Sequence, residues 1–137
     1  FRAAGIETTV AADMPTRLWE KLAVNAGINA VTALARVENG ALADSPADAI
    51  AGSAARETAA VAREQGIDLS DERAVSLAET VIGDTAANHS SMYQDISAGQ
   101  QTEIDAINGY VADTATKSVP VNETLAGLVR TWEQYRG

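Results

Sequence analysis

An all-α fold, an antiparallel cluster of helices, is what this sequence predicts, and three observations carry the prediction. Alanine is the commonest residue, and it has the best intrinsic helix propensity. Aromatics supply only 4% of a chain that is 46% hydrophobic, so the core has to be built mainly from Ala, Leu, Val and Ile. From Thr16 onward apolar residues recur at helical spacing, and no strand-like alternation of useful length appears. A chain of 137 residues is the size of one domain with one modest core, burying roughly two-thirds of the extended chain's surface.

Phe1 to Asp13 carry β-branched residues and a glycine without helical period, which reads as an extended connector over residues 1–14 ahead of a helical domain at 15–137. The first helix is expected after Pro15, with Thr16 near its N-cap, and runs through Leu18, Trp19, Leu22 and Val24 to about Ala35. Val37 to Asp44, containing Asn39-Gly40, reads as a loop or short turn. Ser45-Pro46, with Asp48 in the first turn, starts a second helix that ends at Gly66. Ser70 caps a third, from Asp71 to about Asn88, and a short helix over Ser91 to Ile96 breaks near Gly99. Thr102 starts the next, with Ile104, Ile107, Tyr110 and Val111 on one face, ending near Lys117. Pro120 punctuates, Asn122 is the candidate cap, and Leu125, Leu128, Val129 and Trp132 mark the last helix.

Nineteen acids against ten bases give a formal charge of -9, a surface that nucleic acid or an anionic membrane would repel. Lys21 and Lys117 are the only lysines, a balance that fits adaptation to high salt or simply an acidic protein. Without cysteine there is no disulfide, thiolate metal site or cysteine nucleophile, and the single histidine, His89, argues against a histidine-based zinc site or a catalytic triad. His89 reads as a packed or exposed side chain and not as a ligand. No apolar run approaches a membrane span and no signal peptide opens the chain, so a soluble, cytoplasmic protein is expected. Phe1 stands where a methionine would begin a complete chain, and neither a GxGxxG nor a GxxxxGK loop occurs, so a longer protein is expected, with any nucleotide site mostly elsewhere.

Between Leu22 and Ala35 the first helix is almost wholly apolar, as a helix buried around most of its circumference would be. Its exceptions, Asn25, Asn29 and Thr32, fall at i, i+4 and i+7, with Lys21 one turn earlier, so the four align on one stripe. Two readings stay open. Either these groups hydrogen-bond neighbouring backbone, as buried polar groups normally do, or they line a ligand cleft, where a lysine that is costly to desolvate has a purpose. Asn88 to Asp95 packs hydroxyls and amides around a helix start, where free N–H groups favour an anion such as a carboxylate. Glu103 falls in the first turn of its expected helix, as a dipole-complementing acid or as a functional one.

These residues together resemble a known family. Trp19-Glu20-Lys21-Leu22 with Asn25 and Asn29, then Asn39-Gly40, Ser90-Ser91-Met92 with Gln94-Asp95, Thr102-Glu103-Ile104-Asp105 with Asn108-Gly109, and Pro120 with Asn122 are similar, in order and spacing, to the C-terminal domain of ketopantoate reductases from about Pro15 to Trp132. The resemblance implies a helical fold like the C-terminal domains of 6-phosphogluconate dehydrogenase relatives. It implies NADPH-dependent reduction of 2-dehydropantoate to pantoate, a step toward pantothenate and coenzyme A. Lys21 matches the lysine that protonates the ketone oxygen, and an ammonium there stabilises the developing alkoxide before giving up its proton.

Asn25, Asn29 and Asn39 match positions that hold the substrate's polar groups, Ser91 one that binds its carboxylate, and Asn88 a further polar position. Glu103 matches an acid near lysine, substrate and cofactor, on the nicotinamide ribose side. The partners implied are a small 2-keto acid and the chain's own N-terminal Rossmann domain, which would bind most of the NADPH. The helical domain alone is then inactive, and its uncovered cleft face is a candidate homodimer surface. Tyr93, where an aliphatic residue is more usual, and the loop Val119-Pro120-Val121 depart from the family pattern. They leave room for another branched 2-keto acid. A non-catalytic helical interaction module is the third reading, against which the joint retention of Lys21, Asn25, Ser91 and Glu103 argues.

Overall fold

A computed structural model describes the backbone of residues 3–136 and the side chains of residues 13–136. Among the described residues six α-helices and two 3-10 turns follow one another: α1 (Ala3–Ala35), a turn at Asn39–Leu42, α2 (Ala47–Glu64), α3 (Asp71–Asp84), α4 (Ser91–Ser97), a turn at Ile104–Ala106, α5 (Asn108–Thr114) and α6 (Pro120–Tyr135). No strand occurs among the described residues. α1 is the central element and packs against α2, α3, α4 and α6.

Alanine makes that centrality possible. Ala23, Ala26, Ala30 and Ala33 of α1 and Ala51, Ala54, Ala55, Ala59 and Ala62 of α2 are all buried. Side chains this small let the helix backbones approach closely, most of all at Gly27, where a Cβ would lie 2.8 Å from the Ala51 carbonyl oxygen. Larger residues, Leu42, Met92, Ile104, Leu125 and Val129 among them, complete the core cluster to which Ala26, Ala30, Ala33, Ala51 and Ala54 belong.

Several expected boundaries hold. α1 ends at Ala35, α2 starts after Ser45-Pro46, and Ser70 caps α3 by accepting the Arg73 N–H at 3.0 Å. Gly66, at φ 82°, terminates α2, with Ile67 N–H donating to the Ala62 carbonyl at 3.0 Å and Gly66 N–H to that of Arg63 at 3.0 Å, the paired bonds of a Schellman motif.

Four expectations are corrected. The segment read as an extended connector is helical from Ala3, and α1 continues through Pro15 instead of starting after it. Pro15 forfeits one backbone bond, but extending an existing helix adds a bond per residue fixed, without a new nucleus. Residues 1–2 of that connector lie outside the described residues. α3 stops at Asp84, short of Asn88, because the chain there pairs with the first 3-10 turn: Asn39 N–H donates to the Asn88 carbonyl and Gly40 N–H to that of Ala86, both at 2.9 Å. The helix expected from Thr102 to Lys117 is a 3-10 turn and a short helix, broken at Ile107 (φ -115°, ψ -101°). Thr102 itself is held by α6, its N–H and Oγ1 both donating to Glu133 Oε2, at 2.8 and 2.7 Å.

The fourth correction is Asn122, which caps nothing. It is fully buried two residues inside α6, and a carboxylate from another helix does the capping: Glu57 of α2 accepts the Val121 and Asn122 N–H groups at 3.0 and 2.9 Å. Those N–H groups belong to the unsatisfied first turn of a helix, where negative charge is also favoured by the dipole.

Candidate active-site cleft

Lys21 and Asn25 stand one turn apart on α1 and border an open cleft of about 370 Å³. Leu18 and Leu22 complete the α1 wall, and Glu103, Ala106, Ile107 and Tyr110 form the other. The second wall is held from behind. Arg130 of α6 bonds Asp105 at 2.8 Å, and a Cβ on Gly109 would run into the Arg130 guanidinium, so glycine is what lets that side chain lie across α5. Trp19 and Tyr110 meet beside the cleft with ring centroids 5.9 Å apart.

The polar stripe on α1 therefore resolves into a gradient. Lys21 is exposed, Asn25 and Asn29 are half-buried, and Thr32 is fully buried. The expectation of a lysine sunk in a core groove is corrected: α1 meets solvent at Lys21 because the chain past Thr102 covers only the far side of the cleft. Thr32 follows the structural reading, its hydroxyl lying 2.8 Å from the Ile28 carbonyl and 2.8 Å from Ser90 Oγ. Ser90 also caps α4 by accepting the Tyr93 N–H at 3.1 Å. A buried hydroxyl pair thus pins α4 to α1 and leaves Ser91, at the first position of α4, exposed.

Asn39 and Asn88 lie together, away from the cleft lining. Asn39 is buried, its Nδ2 donating to Thr85 Oγ1 at 3.0 Å, while the Asn88 carbonyl accepts the Asn39 N–H and the Asn88 residue is exposed. The Asn39 Oδ1 is buried without a hydrogen-bond partner among the described residues. The structure thus brings Lys21, Asn25 and Glu103 into one cleft. It leaves Asn29, Asn39, Asn88 and Ser91 in or around the joint where α1, the first 3-10 turn and α4 meet. His89 is exposed and stacks on Tyr93 with centroids 4.1 Å apart, and the Arg36 guanidinium covers that ring at 4.8 Å.

Sequence reasoning did not assign Leu18, Ala106, Ile107 and Tyr110 to the cleft. Tyr110 falls in helical register with Ile107 and Val111 and so reads as core. Only the break at Ile107 turns it outward, to 47% exposure. Leu18, 61% exposed and one turn before Lys21, carried a signal in hindsight: an apolar residue beside a functional stripe.

Comparison with known proteins identifies the family. The family model described as the ketopantoate reductase PanE/ApbA C-terminal domain matches residues 13–133. The chain belongs to that family. A 2-dehydropantoate 2-reductase of Halobacterium salinarum is 44% identical over 134 residues, which cover 95% of this chain and 44% of that protein. The chain thus spans less than half the length of that relative. Among solved structures, a PanE/ApbA family ketopantoate reductase from Ralstonia eutropha superposes with a TM-score of 0.79 at 31% identity, covering 88% of this chain and 41% of that one. D-mandelate dehydrogenase, solved with NADH and anilino(oxo)acetate, superposes with a TM-score of 0.84 at 25% identity over 90% of this chain and 71% of its own.

Proposed function

We propose that this chain is the substrate-binding, proton-donating domain of an NADPH-dependent reductase that converts 2-dehydropantoate to pantoate, a cytoplasmic step of pantothenate and coenzyme A synthesis. The observation that carries the proposal is the cleft itself. Lys21, Asn25 and Glu103, brought from segments far apart in the chain, face one open volume with an apolar rim.

The Lys21 ammonium stabilises the oxygen of the ketone as negative charge develops on it and then delivers the proton. Asn25 and Asn29, on successive turns of α1, orient the substrate's hydroxyl and carbonyl groups. Ser91, exposed at the start of α4, receives the carboxylate, with Asn39 and Asn88 bordering that end. Glu103, exposed on the opposite wall, is the group on this chain suited to accept a hydrogen bond from a ribose hydroxyl of the nucleotide. The exposed faces of Leu18 and Tyr110 fit a planar ring laid against the open side. A bound nicotinamide nucleotide supplies the hydride, and most of its contacts belong to the Rossmann domain that we propose precedes this one.

The likeness to D-mandelate dehydrogenase favours a second reading, in which the substrate is a different branched 2-keto acid and Tyr93 shapes the difference. The deciding assay is NADPH oxidation by the full-length enzyme with 2-dehydropantoate against a panel of branched and aromatic 2-keto acids. A kcat/KM for 2-dehydropantoate below that for any other acid in the panel sinks the first reading in favour of the second.

A further inference from the structure

Asn108 opens α5 and is fully buried. Its Nδ2 donates to acceptors on two different elements, the Ala26 carbonyl of α1 at 3.0 Å and Asn122 Oδ1 of α6 at 2.9 Å. Asn122 carries the connection onward, its Nδ2 donating to the Ala54 carbonyl at 3.2 Å and to Glu57 Oε1 at 2.9 Å, both on α2. Two amides thereby join α1, α2, α5 and α6 at one interior point.

That point lies directly behind the cleft. Ala26 follows Asn25, Asn108 follows Ile107, and Asn25 and Ile107 belong to opposite walls. The bond from Asn108 to Ala26 is one residue removed from each wall, so it governs the gap between Lys21–Asn25 and Glu103–Tyr110. Asn108 holds this place although its Oδ1 is buried without a hydrogen-bond partner among the described residues; an apolar side chain of similar size would spare that loss but would strand Asn122 Oδ1. Apolar packing, however, is non-directional, whereas a planar amide bonded to two fixed acceptors sets a distance.

We propose that Asn108 is a positioning residue, which holds the Glu103–Tyr110 wall at the separation from Lys21 that proton delivery requires. The inference rests on the reductase reading above. It predicts a kcat effect, because small misplacements of reacting groups are costly in rate even when binding survives.

The test is steady-state kinetics of the full-length enzyme with NADPH and 2-dehydropantoate, below the melting temperature of every variant. In Asn108→Ala, kcat falls about 10- to 100-fold while KM for the keto acid changes less than about threefold and melting stays cooperative. Asn122→Ala, which leaves the bond to Ala26 in place, loses much less of kcat even where its melting temperature falls equally. A folded Asn108→Ala enzyme with wild-type kcat, or a loss confined to KM, overturns the inference and leaves the reductase reading standing. A wild-type enzyme without turnover overturns that reading and this inference with it. Should Asn108→Ala not fold, Asn108→Ser, which keeps one donor, takes its place. If neither folds, Asn108 is a core residue only and the inference is wrong.

Discussion

Gly27 sits where α1 meets α2, and the 2.8 Å from an added Cβ to the Ala51 carbonyl leaves no room for a methyl group. Glycine to alanine inside a helix ordinarily gains up to about 1 kcal/mol, while overpacking against a backbone that cannot yield costs about 1–3 kcal/mol. Gly27→Ala should therefore lower the melting temperature. Gly127 of α6 has open space around its Cβ direction, so Gly127→Ala should raise it, and thermal melts of both variants check the pair. At Lys21 the expected change is in chemistry. Lys21→Ala in the full-length enzyme should reduce kcat by roughly 10²- to 10⁴-fold, whereas Asn25→Ala and Ser91→Ala should raise KM more than they lower kcat. Near wild-type kcat in a folded Lys21→Ala enzyme would return the cleft to a binding or structural role.

Among the elements, α6 depends most visibly on a neighbour. The Glu57 carboxylate accepts two N–H groups of its first turn and the Asn122 amide. Glu57→Ala leaves these donors without their acceptor, at a cost of about 1–3 kcal/mol, and hydrogen exchange should show the loss first in the amides of residues 121–123. The loop before α6 is tethered by another acid. Glu64 at the end of α2 accepts the Thr116 N–H at 3.1 Å and its hydroxyl at 2.8 Å, and these bonds, the backbone one foremost, hold its carboxyl below the usual range near 4.5. A carboxyl that ionises more readily when folded stabilises the fold above that range and stops doing so as pH falls through it. The melting temperatures of wild type and Glu64→Gln should thus differ at neutral pH and converge as the pH is lowered below about 4.5. A difference that persists in acid would show that the tether does not depend on ionisation.

For the molecule as a whole, charge and exposed apolar surface dominate. A formal charge of -9 on 137 residues is self-repelling, and screening lengths shrink from about 10 Å at 0.1 M to about 3 Å at 1 M salt. The melting temperature should accordingly rise with added potassium chloride. Met14, Leu18 and Tyr110, 49%, 61% and 47% exposed, present apolar surface along and beside the cleft, of the kind that drives association when left uncovered. The isolated domain should self-associate through this face and show no NADPH oxidation with 2-dehydropantoate. Strictly monomeric sedimentation at high protein and salt concentration would count against the first expectation, and turnover by the domain alone would count against the second.

The sequence by itself determined the helical class, the spans of α1 past Pro15, of α2 and of α4, and the alignment of Lys21, Asn25, Asn29 and Thr32. Each of these rests on local physics: helix propensity, a capping hydroxyl, a left-handed glycine, the 3.6-residue period. The motif blocks also carried the family, because their spacing is a property of the chain alone. Tertiary structure decided what local signals leave degenerate. Asn122 had the residue type of a cap, and only the arrival of Glu57 from α2 freed it to bond Asn108 in the interior. Ile104 to Val111 had one helical period, and the bonds of Asn108 to α1 and α6 accompany the break at Ile107 that turns Tyr110 into the cleft. α3 had no stop signal before Asn88, and its end is set by backbone pairing with Asn39 and Gly40 across the fold. Which groups on the α1 stripe meet solvent was likewise settled by what covers each turn. Burial is a property of neighbours distant in the chain, and residue spacing along one helix does not encode it.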